Sequence, residues 1–559
     1  ITIIDQFNNQ ITIQRDANGL PTAIVSPDNL ATTLSIDANN HLTRVTYPDG
    51  SHYDFEYTPD GLMTAETEPE GNRFDHSFSI LGRLTDVFDE EGGHWNYTRT
   101  AHENGDIITD IRSGEGNVTS FRDRTDLTGA YTSSITDPTG AETVFSQSAD
   151  GLTVGKSLPC GMELYYAYDV DSEYKFEYIK AMTEKSPGGL ERITFRDKSY
   201  EDTEINGITD LITESVAVND KTTTLVHNTL AAQKTITSPE GRTVTSLYDP
   251  NSLLTESIRV AGLYNTTYGY DPRGRLISIN TGTRESTLTY NPEGFLESVT
   301  DPENHTTYYN YDAVGRIRGI SRPDGGSVGF DYDRNGNMTV LTNPVDVSHG
   351  FGFNAVNRNR SYTTPLSGSY SYSYDKDRRL IRTNFPSGKT IINDYADPSN
   401  PDDKSRLWRI STPEGNIDLT YLCGTKVESI SKSAESITYG YDGNLIISEE
   451  LAGTLNQSVT YTYNNDFDVS SFIYAGDSIN FSYDNDGLLT GAGVYSIARN
   501  AQNGMPESVD GGAMSITRAF NGYGEVEAQT AVVGGQSQAS WSLSRDNNGR
   551  IIQKTETAE

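Results

Sequence analysis

The 559-residue sequence has little cysteine, little basic charge and no long apolar run. Cys160 and Cys423 are too few to form a disulfide framework in a chain of this length, and they leave one bridge or two free thiols open. No apolar stretch approaches the ~20 residues of a membrane-spanning helix. The 43 basic and 78 acidic residues give a formal charge of −35, which opposes binding to nucleic acid or anionic membranes.

The sequence also has few signals of catalysis or metal binding. None of the eight histidines lies in a His-Glu-x-x-His zinc motif, and no P-loop, nucleophile elbow or dinucleotide-binding glycine pattern is present. Asp331–Gly336 matches the first half of a calcium loop, but Thr342 stands where the bidentate glutamate is required. We therefore predict no catalytic residue, no metal site and no cofactor. The enzymatic alternative is a hydrolase in the irregular region 97–240, and a buried carboxylate pair in a cleft would favour it.

What the sequence does contain is aromatic residues and turn formers. Its 34 tyrosines, 18 phenylalanines and 51 glycines are typical of β-structure with many turns and unlike disordered chains. No segment has a convincing 3.6-residue apolar period. The chain opens on the strand-like Ile1-Thr2-Ile3-Ile4 without an initiator methionine, so we expect it to be a piece of a longer protein.

An internal repeat organises the whole chain. An aromatic residue, an Asp or Asn, a Gly and an aliphatic residue recur in fixed order, and the lead aromatics from Tyr270 to Tyr374 step by 20, 21, 21, 21 and 21 residues. A looser frame begins at residues 15, 36, 57 and 78, again 21 apart. We divide the single array into regular repeats (1–96), degenerate or irregular repeats (97–240), the most regular repeats (241–490) and degenerate repeats (491–559).

Two turns per repeat predict two strands of about six residues. In Asp271-Pro272-Arg273-Gly274, Asp accepts a backbone N–H and Gly takes positive φ, which predicts a three-residue hairpin with a bulge and pairs Tyr270 with Leu276. A second turn lies between these hairpins, as in Pro69-Glu70-Gly71 and Pro239-Glu240-Gly241. Each hairpin is marginal alone, so the repeats must stabilise one another by stacking.

The motif Tyr-Asp, a few residues, Gly-Arg-Leu resembles the YD-repeat or RHS-repeat family, which includes bacterial RHS proteins, toxin-complex shell subunits and teneurins. The resemblance implies an all-β fold in which short antiparallel hairpins wind into a spiral sheet around a hollow shell. The positions that carry the motif have architectural roles. They are Tyr270, Asp271, Gly274, Arg275, Tyr290, Gly294, Tyr311, Asp312, Gly315, Arg316, Tyr332, Asp333, Gly336, Tyr374, Asp375, Tyr483, Asp484 and Gly487.

The same resemblance implies a function. Bacterial toxin members hold a C-terminal toxin segment within the shell, so we expect a non-enzymatic wall of a secreted or surface protein that encloses or presents a polypeptide. The alternative is a surface adhesion module that binds a glycan or a partner protein. Tyrosine clusters such as Tyr308-Tyr309-Tyr311 and Tyr370-Tyr372-Tyr374 are then either a structural ladder or a sugar-stacking strip.

Overall fold

The computed structural model describes residues 1–366, 368–397, 405–424 and 426–558. In these residues the chain forms 51 strands in one continuous meander and no helix, so the predicted all-β fold is confirmed. Each strand pairs antiparallel with the strands before and after it. A meander of this kind has two edges of turns, because successive turns alternate between the two ends of the strands.

The bounds of the strands are as follows. The first 23 are β1 Thr2–Ile4, β2 Gln10–Arg15, β3 Pro21–Val25, β4 Ala31–Ile36, β5 Leu42–Thr46, β6 His52–Tyr57, β7 Met63–Thr67, β8 Arg73–Phe78, β9 Leu84–Asp89, β10 His94–Ala101, β11 Ile107–Arg112, β12 Val118–Thr125, β13 Tyr131–Thr136, β14 Glu142–Gln147, β15 Thr153–Ser157, β16 Glu163–Val170, β17 Glu177–Lys185, β18 Glu191–Glu201, β19 Leu211–Val218, β20 Lys221–Asn228, β21 Gln233–Thr237, β22 Thr243–Tyr248 and β23 Thr255–Val260. The next 23 are β24 Thr266–Tyr270, β25 Leu276–Thr281, β26 Arg284–Tyr290, β27 Leu296–Thr300, β28 Thr306–Tyr311, β29 Ile317–Ser321, β30 Ser327–Tyr332, β31 Met338–Thr342, β32 Ser348–Phe353, β33 Asn359–Thr363, β34 Ser369–Tyr374, β35 Leu380–Asn384, β36 Thr390–Asp394, β37 Arg409–Thr412, β38 Gly415–Leu422, β39 Lys426–Lys432, β40 Glu435–Asp442, β41 Leu445–Ala452, β42 Gln457–Tyr463, β43 Val469–Tyr474, β44 Asp477–Tyr483, β45 Leu489–Ala492 and β46 Tyr495–Arg499. The last five are β47 Pro506–Asp510, β48 Met514–Phe520, β49 Val526–Val533, β50 Gln536–Arg545 and β51 Ile551–Ala558.

The Tyr-Asp turns have the predicted hairpin geometry. In the turn from β24 to β25, Asp271 N donates to Arg275 O at 2.9 Å and Gly274 N donates to Asp271 O at 2.9 Å. Gly274 has φ +78°, and the register shifts at Tyr270, which pairs with Leu276 across the bulge. Both the bulge and the aromatic–aliphatic pair are therefore confirmed for this hairpin.

The two faces of the sheet differ in chemistry because side chains alternate along each strand. One face carries cross-strand ion pairs, such as Arg44–Asp54 at 2.5 Å and Arg318–Asp331 at 2.6 Å. The opposite face carries the aliphatic and aromatic partners, such as Val45 paired with Tyr53. The sheet thus has an apolar layer one side chain thick.

The spiral is held together by contacts between its turns, most of which lie 23 strands apart. Asp28 and Asp89 reach arginines in turns 21 and 25 strands away. The turn between β1 and β2 contacts the turn between β24 and β25, 23 strands further along, where Asn9 Nδ2 donates to Arg273 O at 3.0 Å. The same 23-strand spacing recurs along the chain. It relates Asp49 to Arg316, Glu70 to Arg334, Glu91 to Ala355, Glu115 to Lys376, Gly188 to Asp442, Lys221 to Asp466, Glu240 to Asn485, Thr283 to Tyr523 and Glu303 to Asn547.

These contacts define two stacked coils, β1–β23 and β24–β46, and the beginning of a third. We call the line of contacts between consecutive coils the seam. At the seam the second turns of one coil meet the Tyr-Asp turns of the next. Second turns lie on one edge of the meander and Tyr-Asp turns on the other. Two turns on opposite edges are always separated by an odd number of strands, so a coil must contain an odd number, and 23 satisfies that condition.

Burial distinguishes the seam from the free rim formed by the Tyr-Asp turns of the first coil. Val356, in the seam turn between β32 and β33, is 8% exposed. Leu81 holds the equivalent position in the turn between β8 and β9 and is 73% exposed. The same kind of turn therefore buries its apolar tip only where another coil lies against it.

A glycine pair tests the close packing of the seam. Gly274 and Gly325 both have positive φ, but a Cβ at Gly274 would lie 2.6 Å from the Phe7 ring, whereas nothing lies within 4 Å at Gly325. We expect Gly325→Ala to lower the free energy of unfolding by about 1–2 kcal/mol from backbone strain alone. Gly274→Ala should cost a further ~1–3 kcal/mol from overpacking, measured by urea denaturation. Equal losses in the two variants would contradict close packing at this turn.

Candidate functional site: the repeat motif and the seam

The tyrosine of the motif ties each repeat to the one before it. Tyr311 OH donates to Leu296 O at 2.8 Å, and Leu296 is the first residue after the preceding Tyr-Asp turn. The same hydrogen bond is made by Tyr270, Tyr290, Tyr332, Tyr374, Tyr421, Tyr441, Tyr463 and Tyr483, at 2.6–2.9 Å. The hydroxyl therefore has a structural function that a phenylalanine cannot perform.

The aspartate and arginine of the motif close the turn together. Asp312 Oδ1 accepts from the amides of Val314 and Arg316 at 3.1 and 2.9 Å, and its Oδ2 accepts from Arg316 Nε at 2.6 Å. The Arg316 guanidinium also lies over the Tyr332 ring, 5.1 Å from its centre. Arg275 joins Asp271 to Tyr290, and Arg379 joins Asp375 to Tyr395, in the same way. One arginine thus links the turn of one repeat to the aromatic ring of the next.

These contacts lower the pKa of the turn carboxylates. Burial alone would raise the pKa of Asp312, but the hydrogen bonds from the Arg316 side chain and from the amides of Arg316 and Val314 outweigh it. The pKa of Asp271 is lowered by the corresponding groups of Arg275 and Arg273, again against burial. Both carboxylates are therefore ionised in the folded chain at neutral pH.

At three places on the seam, an aspartate of one coil accepts a hydrogen bond from a serine hydroxyl and another from a backbone amide of the other coil. Asp377 accepts from Ser113 Oγ at 2.7 Å and from the Glu115 amide at 2.9 Å. Asp442 accepts from Ser186 Oγ and the Gly188 amide, both at 2.6 Å, and Asp486 accepts from Ser238 Oγ and the Glu240 amide at 2.8 and 3.0 Å. In each case a serine begins the second turn below, and the amide two residues later completes the clamp.

Glutamates of the second turns make the reverse contact. Glu70 accepts from the Arg334 amide at 2.7 Å, and the Glu70 amide donates back to Asn335 Oδ1 at 2.8 Å. Glu91, Glu115, Glu240 and Glu303 accept from the corresponding amides of the coil above at 2.6–3.1 Å. These second turns are therefore docking elements as well as turns.

Ion pairs reinforce the seam. Arg242 contacts Asp484 at 2.8 Å and Asp486 at 2.5 Å, and all three side chains are at least 87% buried. Arg284 pairs with Glu525 at 2.8 Å while its guanidinium lies 3.6 Å from the centre of the Tyr523 ring. A buried charge is tolerated only when an opposite charge and hydrogen bonds compensate it. Removing one partner of such a pair therefore lowers the free energy of unfolding strongly.

The structure places the motif residues on one edge of the second coil, at or next to the seam. Asp484 contacts Arg242 of the first coil, and Arg316 contacts Asp49 at 3.2 Å in addition to its own Asp312. Sequence reasoning identified these residues as turn formers but missed their partners in the next coil. It also missed the roles of Ser113, Ser186, Ser238 and the second-turn glutamates. The recurrence of Ser at the first position and Glu at the third position of these turns is the signal that was available.

The clustered tyrosines do not all lie on one face of the sheet, and Tyr370 belongs to a series of packed aromatic rings. Phe351, Tyr362, Tyr370 and Phe385 contact one another in series, with ring centres 5.3–5.7 Å apart. Tyr308, by contrast, is 55% exposed and lies on the face opposite Tyr309 and Tyr311. Of the clustered tyrosines, Tyr311 packs on Phe295, and Tyr370 packs on Tyr362 and Phe385.

The buried carboxylates of the described residues are separated from one another and hydrogen-bonded locally. The most buried carboxylates, Asp106, Asp171 and Asp210, lie in three different turns, where Arg122, Tyr200 and Thr203 respectively hydrogen-bond to them. The calcium-like segment is used locally, since Asp331 pairs with Arg318 and Asp333 accepts from Asn337. No group of three or more potential metal ligands is found in this part of the chain. No described helix is long and apolar enough to cross a membrane.

These features define a spiral of β-hairpin repeats whose coils are joined turn to turn. The whole chain, residues 1–559, matches the Teneurin YD-shell family, and the chain belongs to that family. The recognition made from the Tyr-Asp repeats is therefore confirmed. No curated protein matches the chain significantly.

Solved structures include several that align with nearly the whole chain at low identity. The crystal structure of TcdB2-TccC3-TEV aligns over 98% of this chain and 42% of its own, with 11% identity and a TM-score of 0.36. The Photorhabdus luminescens Tc holotoxin pore aligns over 96% of this chain and 40% of its own, with 10% identity and a TM-score of 0.32. The chain thus spans less than half the length of these proteins.

Adding or removing a single hydroxyl group tests the hydrogen bonds that the motif tyrosines make. Phe353 occupies a motif position without a hydroxyl, and by the 15-residue spacing of Tyr332, Tyr374 and their acceptors its target would be Met338 O. We expect Phe353→Tyr to raise the free energy of unfolding by about 0.5–1.5 kcal/mol, and Tyr311→Phe to lower it by a similar amount. Urea denaturation measures both, with Tyr308→Phe as the exposed control. If Tyr308→Phe lowered the free energy of unfolding as much as Tyr311→Phe, the hydroxyl hydrogen bonds would have no structural role.

The turn carboxylates predict acid sensitivity. Because the folded-state pKa of Asp312 is below its ordinary value, its stabilising contribution is complete above about pH 4 and is lost as the pH falls through the folded-state pKa. We expect Asp312→Asn to fold, as Asn291 and Asn354 already serve in equivalent turns. Its urea midpoint should depend less steeply on pH below 4 than that of the unmodified protein. Identical slopes would show that Asp312 is not a source of the acid sensitivity.

Proposed function

We propose that this chain is a non-enzymatic wall that encloses a polypeptide and keeps it from proteases and solvent. The observation that carries the proposal is the seam. Hydrogen-bonded turns join consecutive coils, most of them 23 strands apart, from Asn9 to Glu303 in the lower turns. A sheet whose coils are joined edge to edge forms a continuous side wall around a lumen, which an open sheet does not do.

The size of a coil supports an unfolded or minimally folded cargo. A circular ring of 23 strands at ~4.8 Å spacing would be roughly 35 Å across between backbones, and side chains leave a lumen of about 25 Å. A folded 100-residue domain, with a radius of gyration of about 13 Å, is roughly 33 Å wide. Such a ring admits an extended chain or a single helix more readily than a compact domain.

Family membership supports the same interpretation. The chain belongs to the YD-shell family, and the bacterial toxin members that its repeats resemble hold a toxin segment inside such a shell. The proposed cargo is therefore a polypeptide, including a toxin segment of the same protein, and the proposed location is extracellular. The adhesion alternative has the exposed Tyr308 in its favour, but Tyr311 and Tyr370 already pack on neighbouring aromatic rings.

Protease protection of a retained polypeptide tests the proposal. We expect the natively purified protein to carry a polypeptide at a fixed stoichiometry that survives limited proteolysis. The double variant Arg242→Ala with Asp486→Ala removes a buried seam contact, so the retained polypeptide should become protease-sensitive. Arg318→Ala, which breaks an exposed ion pair on the sheet face, is the matched control and should keep the protection.

Two results would contradict the enclosure. One is a protein that carries no polypeptide in any native preparation, and the other is a bound polypeptide that is digested equally fast with the seam intact. Binding of the unmodified protein to a glycan array, lost in Tyr308→Ala, would instead favour the adhesion alternative.

A further inference from the structure

The two cysteines, separated by 262 residues in sequence, lie opposite one another at the seam. Cys160 is in the second turn between β15 and β16, where Gly161 N donates to Leu158 O at 2.9 Å. Cys423 is in the turn between β38 and β39, which is 23 strands further along. The 23-strand spacing that predominates at the seam therefore places these two turns opposite each other.

Neighbouring contacts agree with this assignment. On one side, the Glu115 amide donates to Asp377 at 2.9 Å, and on the other the Gly188 amide donates to Asp442 at 2.6 Å, both at the 23-strand spacing. A Cβ at Gly424, next to Cys423, would lie 2.8 Å from Ala141 Cβ, so this turn is in close contact with the first coil. Ala141 ends the turn between β13 and β14, which precedes the turn of Cys160 on the same edge.

The side chains of Cys160 and Cys423 also interact. Burial, followed by a side-chain hydrogen bond with Cys423, raises the pKa of Cys160 to about 11. Both cysteines are partly exposed, so a small oxidant can reach them. Cys423 also has φ +45°, a conformation in which Asn, Asp or Gly is usual, so the local turn does not account for cysteine at this position.

We propose that Cys160 and Cys423 are a disulfide site that locks the first coil to the second under oxidising conditions. The co-reactant is a small disulfide such as oxidised glutathione. The Cys423 thiolate attacks the glutathione S–S bond, which breaks and releases one glutathione thiolate. Cys160 then gives up its proton, which protonates the released glutathione thiolate, and attacks Cys423 Sγ. This attack forms the Cys160–Cys423 bond, breaks the mixed disulfide and releases the second glutathione as a thiolate, which takes up the proton lost by Cys423. Two protein thiols are oxidised, and one glutathione disulfide is reduced to two thiols.

Peptide mapping after treatment with oxidised glutathione tests this site in the intact chain. Trypsin cleavage after Lys156, Lys175, Arg409 and Lys426 places the cysteines in peptides 157–175 and 410–426. Without reductant, we expect these two peptides to be recovered covalently joined. In the folded protein the joined form should exceed the doubly glutathionylated chain by about tenfold or more, because the second thiol is held in place. In concentrated guanidinium chloride that preference should disappear.

Serine variants separate the disulfide from a general effect of oxidation. Cys160→Ser and Cys423→Ser should each stop at one bound glutathione and should show no change of thermal midpoint on addition of reductant. The unmodified oxidised protein should have a higher thermal midpoint than its reduced form. Accumulation of the doubly glutathionylated chain in the folded protein, or formation of disulfide-linked dimers, would overturn the assignment. The outcome does not depend on whether the shell holds a cargo.

Discussion

The structure depends on turn-to-turn docking between coils. A meander of short hairpins buries little apolar surface, and its stacked strands stabilise it in only one direction. The seam adds contacts in the second direction, between residues separated by roughly 240 to 290 positions, such as Glu70 with Arg334 and Arg378 with Asp89. An odd number of strands per coil is the geometric condition for this docking. The condition explains why two different turns, rather than one, alternate through the sequence.

The acidic composition follows in part from the same architecture. Tight turns and docked turn edges leave backbone amides that need acceptors, and carboxylates are strong acceptors for them. Asp312 closes its own turn, whereas Glu70 and Asp377 accept amides from another coil. A repeat protein of this type therefore uses acidic residues for its own structure. This reduces the share of the −35 charge that is free to attract a basic partner.

Local structure was predictable from the sequence, and contacts between coils were not. The hairpin, its bulge and the pairing of Tyr270 with Leu276 follow from residues within seven positions of one another. The destination of the Tyr311 hydroxyl depends on the next strand pair, and the partner of Ser238 depends on how many strands complete a coil. Sheet curvature sets that number, and it accumulates from small twists that leave no residue pattern. The domain boundaries at residues 96, 240 and 490 remain predictions.

Hydrogen exchange at single amides tests the seam most directly. The amides of Arg334, Ala355 and Asn485 donate to glutamates of the first coil, whereas those of Ile80 and Leu127 hold equivalent turn positions on the free rim. If the coils are docked, the three seam amides should exchange slowly and together, and the two rim amides should exchange near the rate of an exposed turn. Equal rates in the two sets would mean that the coils are not joined in solution, and the enclosed interior would have no physical basis.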